Sequence, residues 1–188
     1  MTTKQTVGFV GLGGMGRGLV KNMALKGIDV RVMDRRTEAV EDVAQYGAKP
    51  AESLEALRRD CPVIMVCINT AEDTERLVYG PGGLCDLPGP DDFVLVDHTT
   101  SNPGAVERLS KALADRGFAY AEAPMTRTPK HADAGIVNVL YGGDADLLER
   151  LRPYFETYAE NIFHIGPAGH AIRLKLIHNF IAFANVLS

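Results

Sequence analysis

The chain has 188 residues, of which 46% are hydrophobic and 23% charged, with a formal net charge of −4. Such a balance excludes a disordered or membrane-embedded chain, and the length allows one full core and the start of a second. A mildly acidic chain with scattered Lys and Arg also excludes a nucleic-acid footprint.

The first predicted element is a strand. Val7-Gly8-Phe9-Val10 is a short apolar run, and it opens directly into Gly11, Gly13 and Gly16, a G-x-G-x-x-G pattern. No signal-peptide core precedes it, so the chain is expected in the cytoplasm. A helix follows from Gly14 to about Lys26, then a second strand, Asp29 to Met33, ending at Asp34. Strand, glycine turn, helix and an acid about 20 residues on make a dinucleotide site. In that site Gly11 permits the tight turn, Gly13 lets backbone approach a pyrophosphate, and Gly16 allows close helix–strand packing. The helix N-terminus offers N–H groups to phosphate. Leu12 and Met15 belong to the same cofactor-binding turn, and Asp34 would accept hydrogen bonds from the adenosine ribose.

Strand and helix patterns alternate through the rest of the chain. Thr37 to Tyr46 reads as a helix capped by Thr37, and Ser53 to Arg59 as another. Pro62 to Ile68 is a fully apolar run, the mark of a central parallel strand. Ala71 to Tyr79 is helical and stops at Gly80-Pro81-Gly82-Gly83. Phe93 to Asp97 is a strand, and Pro103 to Arg116 a helix with Pro at its start and Gly117 after its end. Phe118 to Glu122 and Ile136 to Tyr141 are strands, Asp144 to Tyr154 is a helix, and Ile162 to Ile165 a last strand. The fold class is therefore α/β: a Rossmann-like, doubly wound, mostly parallel sheet. Cys61, Cys67 and Cys85 have no C-x-x-C spacing and read as buried or incidental thiols. No metal site is expected.

The closing helix, from about Ala168, is apolar nearly all round, which requires burial on most sides. It is too short and too polar to span a bilayer, because Lys175, His178, Asn179 and Asn185 interrupt it. The expected division is a dinucleotide-binding domain over 1–165 and, over 168–188, the start of an interdomain helix leading to a second, all-α domain. Its apolar face would be covered by that domain or by another copy of the chain in a homo-oligomer.

Three polar clusters lie where open α/β sheets bind ligands, beyond the strand C-termini. The first is Asn69-Thr70 with Asp97-His98-Thr99-Thr100-Ser101-Asn102-Pro103, placed to flank the nicotinamide half of a cofactor. Helix capping by Thr70 or Ser101 explains these residues equally well. The second is Thr126-Arg127-Thr128. The guanidinium fork suits a carboxylate, sulfonate or phosphate, although a solvated Arg has the same sequence. In the third, Lys175, His178 and Asn179 share a helix face by spacing. Burial of Lys175 in an apolar helix would lower its pKa and fit it for proton transfer; snorkelling to the surface is the alternative.

These segments together resemble the β-hydroxyacid dehydrogenase family. FVGLGGMGRGLVKN is similar to its N-terminal signature, DHTTSNP to its D-x-S-T-x-x-P loop, AEAPMTRTPKHADAG to its substrate loop, and GHAIRLKLIHN to its catalytic helix. The resemblance implies hydride transfer between a nicotinamide and a small acid, with Lys175 as acid/base and Asn179 orienting substrate. It also implies that Asn69 and Thr100 lie at the cofactor. Two departures bear on substrate. Arg127 replaces the first glycine of the usual Ser-Gly-Gly loop, as in the sulfolactaldehyde reductase branch, and His178 replaces the commoner Asn. The expected substrate-binding residues are thus Thr126, Arg127, Thr128, His178 and Asn179, and the expected substrate is a small aldehyde or hydroxy acid with a sulfonate, carboxylate or phosphate tail. An imine reductase relative would usually lack a lysine at position 175. Asp34 favours NAD, while Arg35 and Arg36 leave NADP possible. The competing expectation is a truncated dinucleotide-binding module without turnover.

Overall fold

The structure, a computed structural model, describes residues 6–187. Strands β1 (Val7–Val10), β2 (Val30–Met33), β3 (Lys49–Pro50), β4 (Val63–Val66), β5 (Val94–Asp97) and β6 (Ala119–Glu122) pair in parallel in the order β3-β2-β1-β4-β5-β6. Beyond β6 lie β8 (Val137–Gly142), antiparallel to β6 and to the two-residue β7 (Met125–Thr126), and β9 (Ala159–Gly166), parallel to β8. The sheet is doubly wound and mostly parallel, as the alternation of patterns requires.

Period-2 side-chain alternation divides each strand between two cores. Val7, Phe9, Val63, Met65, Val94 and Val96 face one side, where α1 (Gly14–Leu25), α2 (Thr37–Ala44) and α7 (Ala145–Phe155) pack. Ile64, Val66 and Leu95 face the other, against α3 (Leu54–Asp60), α4 (Ala71–Tyr79) and α5 (Pro103–Ala114). Helix starts follow the capping rules: the side chains of Ser53, Thr70, Asn102 and Asp144 each accept an amide of the first turn. Two expected caps are corrected. Thr37 is already helical, because extended Arg36 precedes the helix without a side-chain cap. Asn102 rather than Ser101 caps α5.

The helix α8 (His170–Leu187) is buried only near its start. Ala171, Ile172 and Lys175 are buried, but Phe180 is 75% and Phe183 69% exposed, with Leu174, Leu176, Ile177 and Ile181 also open. The helix meets α5, β8 and β9 with its first turns and then projects from the sheet. No described helix is long and apolar enough to cross a membrane.

Candidate active site

Val10, Met33, Val66, Asp97 and Glu122 align in register across five parallel strands. The residues after them, Gly11, Asp34, Cys67, His98 and Ala123, therefore form one row at the C-terminal edge. The chain runs outward from β1 through β2 to β3, then crosses back to β4. That reversal opens a crevice between β1 and β4, the place where such sheets take ligands.

The glycine turn fills one wall of the crevice. Gly11 has φ +98°, and a Cβ there would press on Ile68 Cγ2 at 2.6 Å. A Cβ at Gly16 would collide with the carbonyl of Gly11, so the helix lies as close to the strand as backbone allows. Gly13 precedes α1 and differs from both. A Cβ there meets no protein atom within 4 Å and would project into open space at the helix N-terminus. This open cradle, with the amides of the first turn around it, fits a pyrophosphate.

A cavity of 480 Å³ extends from the turn, lined by Gly11, Gly13, Asp34, Arg35, Arg36, Cys67, Ile68 and Asn69 among others. Asp34 is fixed at its far end: the Leu12 amide donates to Oδ2 at 2.6 Å, and the Arg36 amide and Nε donate to Oδ1 at 2.9 and 3.0 Å. Burial opposes its charge, but the Arg36 and Leu12 hydrogen bonds outweigh that and bring its pKa down to about 2. Asp34 is a carboxylate at any physiological pH.

A second cavity, of 290 Å³, shares Gly13, Cys67, Ile68 and Asn69 with the first. Its other lining residues include Met15, His98, Thr99, Thr100, Met125, Arg127 and Lys175. Lys175 is 9% exposed. Among the described residues no carboxylate pairs with it, and burial lowers its pKa below the usual 10.5. The same burial holds the Cys67 thiol protonated, pushing it up to about 12, so this wall offers no thiolate at neutral pH.

The expected substrate residues separate. Arg127 lines the second cavity, the one described non-glycine residue with positive φ, at +78°. Its guanidinium already donates to the Ile136 carbonyl and the Glu160 carboxylate. Thr126 is buried in β7, where Oγ1 accepts from Asn138 at 3.1 Å. Thr128 is exposed and its hydroxyl lies 2.8 Å from His131 Nδ1. Asn179 is half-buried below Lys175, and His178 is exposed. Thr126, Thr128, His178 and Asn179 are not among the residues lining either cavity.

Glu122 escaped attention in the sequence, and His98 was read only as part of the loop flanking the nicotinamide. Glu122 accepts hydrogen bonds from three amides at the start of α8. His98 is wedged between Phe9, Phe155 and Tyr158, with Nδ1 2.7 Å from the Ala123 carbonyl and Nε2 3.1 Å from the Tyr158 hydroxyl. The available signal was a Glu and a His at the ends of apolar strands. Burial pushes His98 down to about 4 from 6.5, so the unfolded chain binds its proton first and native stability falls as pH drops between those values. His98→Phe should lose about 1–3 kcal/mol at pH 7.5 by stranding two buried partners. Its gap from the parent should then narrow on acidification toward pH 4; thermal unfolding at several pH values reads this out.

Residues 6–166 match the NAD binding domain of 6-phosphogluconate dehydrogenase. The chain belongs to this family. Within it, the 3-sulfolactaldehyde reductase of Escherichia coli is 30% identical over 97% of this chain and 61% of its own length. A solved Mycobacterium tuberculosis 3-hydroxyisobutyrate dehydrogenase superposes with a TM-score of 0.88 at 25% identity, over 96% of this chain and 60% of that one. A structure described as Psf3 in complex with NADP+ and 2-OPP gives 0.87 at 30% identity, over 92% and 61%. The β-hydroxyacid dehydrogenase resemblance is thereby established for this NAD-binding domain, and the chain spans about three-fifths of the length of the curated relatives it matches.

Proposed function

We propose that the chain holds a nicotinamide dinucleotide along the two joined cavities. We propose further that the protein interconverts a small anionic aldehyde and the corresponding hydroxy acid. The observation that carries this reading is Lys175, a buried lysine opening into the cavity that continues from the glycine cradle. Gly11, Leu12, Gly13, Met15 and Gly16 would hold the pyrophosphate, Asp34 the adenosine ribose, and Asn69 and Thr100 the far half. When bound, such a cofactor would supply hydride chemistry at the substrate carbon. Lys175 gives its proton to the carbonyl oxygen during reduction and takes it back during oxidation. Asn179, one turn on, would orient the substrate, and α8 would begin a second, all-helical domain. NAD is favoured over NADP because the Asp34 carboxylate repels a 2′-phosphate, and Arg36 is already folded onto that carboxylate.

Arg127 would take the anionic tail, exchanging Glu160 for a sulfonate, carboxylate or phosphate. Sulfolactaldehyde and succinic semialdehyde are two aldehydes that carry such a tail. Arg127→Gly should raise KM for the anionic aldehyde about 10- to 100-fold, the worth of a charge-assisted hydrogen-bond pair. The kcat should change little, and glycine accepts the φ of +78° without strain. Steady-state kinetics on sulfonate, carboxylate and phosphate aldehydes with NADH and NADPH tests the whole reading. Cofactor binding without aldehyde-dependent oxidation of NADH or NADPH would reduce the protein to a dinucleotide-binding module.

A further inference from the structure

The three amides that Glu122 accepts belong to one helix end. Gly169 and Ala171 donate to Oε1 at 2.6 and 2.9 Å, and Ile172 to Oε2 at 3.1 Å. The carboxylate comes from the last residue of β6, so it spans from the sheet to the start of α8. It is 1% exposed, and its fit depends on the strand opposite: Glu122 pairs with Gly142, where a Cβ would stand 2.7 Å from its Cγ. An anion at a helix N-terminus, accepting the amides the helix cannot satisfy, fixes that end. Lys175 follows five residues after His170, about 7.5 Å along the axis. The segment Ala123–Thr128, which carries Arg127, begins at the residue after Glu122. One side chain thus joins the cavity's arginine loop to the helix that bears its lysine.

We propose that Glu122 is a positioning residue. It clamps the start of α8 and so sets where the Lys175 ammonium stands against the cavity wall of Gly13, Thr99 and Thr100. The proposal rests on the reading of Lys175 as proton donor and extends it to a residue that touches neither substrate nor cofactor. Displacement of a proton donor by about 1 Å costs up to about 100-fold in rate, which is the scale a loosened α8 would produce. The Glu122 pKa is pushed up by burial and drawn back by the three amides. Asp97, Tyr120 and His170 are its titratable neighbours, whereas Arg127 and His98 share the cavity of Lys175.

The test uses two variants of the protein. Glu122→Gln keeps the shape and removes the charge; Gly142→Ala keeps the carboxylate and displaces it. Both should lower kcat about 10- to 100-fold while leaving the cofactor Kd unchanged. Both should also raise the solvent deuterium isotope effect on kcat, because proton transfer from a misplaced lysine becomes slower than the other steps. Titration with NADH counts folded sites, so a loss of kcat that merely tracks a loss of sites, with the parent isotope effect, overturns the proposal. So does a kcat within about twofold of the parent in both variants. Lys175→Ala separates this from the underlying reading: an active Lys175→Ala sinks the acid/base assignment, whereas an inactive one beside fully active Glu122→Gln and Gly142→Ala sinks the positioning role alone.

Discussion

Lys175→Met should lower turnover in both directions and make the protein more stable. A positioned general acid or base contributes about 10²- to 10⁴-fold, and methionine has no proton to give. The expected loss in kcat is of that size, with cofactor affinity preserved, because the dinucleotide contacts assigned to the glycine turn and Asp34 lie elsewhere. Stability moves the other way. Lys175 is buried, and its pKa is lowered below 10.5 by that burial. The unfolded chain therefore binds more protons than the native one between the lowered value and 10.5, and native stability rises with pH across that window. Below the window the native state bears the full cost of a buried ammonium. Methionine has a similar shape without the charge, so the variant's advantage should be largest at neutral pH and shrink toward pH 10.5. Calorimetric melting at pH 7 and pH 10, beside kcat for oxidation and reduction, measures both halves. Unchanged turnover would remove Lys175 from the chemistry.

Sequence made some of this legible because the governing rules are local. A parallel strand covered on both faces has no polar alternation, so runs such as Val63–Val66 declare themselves. Glycine spacing is equally local: Gly11 has the positive φ of a tight turn, Gly16 packs against the Gly11 carbonyl, and Gly13 leaves open space at the start of α1. What stayed hidden depends on partners distant in the chain. The pairing of β7 with β8 turns two residues of an expected loop into a strand. The Arg127–Glu160 ion pair spans 33 positions, and the Glu122 hydrogen bonds to α8 span 47 to 50. Helical spacing misled in one respect. At about 100° per residue, Asn179 and His178 fall on opposite flanks of Lys175. Ala171 and Ile172 are both buried one turn earlier, on either flank of Lys175, but one turn later only Asn179 stays half-buried and His178 lies in solvent.

Gly13→Ala and Gly16→Ala should separate the two functions of the glycine turn. The added atom is the same methyl in both, so only its surroundings differ. At position 13 it meets no protein atom within 4 Å, and Gly13 itself is ordinary extended backbone with φ −66°. Folding should be unaffected, with a melting temperature at the parent value. The methyl does, however, stand in the cradle where the phosphates would lie against the amides of α1. Binding of NADH should weaken at least tenfold, about 1.4 kcal/mol. At position 16 the methyl faces the Gly11 carbonyl, with the Phe9 ring at 3.2 Å and the Gly11 carbonyl carbon also at 3.2 Å. Backbone, unlike a flexible side chain, yields only by moving the helix away from β1. Overpacking of this kind costs about 1–3 kcal/mol, and it shifts the turn that shapes the cradle. Gly16→Ala should therefore lose stability and cofactor affinity together, whereas Gly13→Ala loses affinity alone. Calorimetric titration with NADH beside thermal melts distinguishes them. If the two variants proved equal in both measurements, the assignment of the cradle to Gly13 and of the close packing to Gly16 would be wrong.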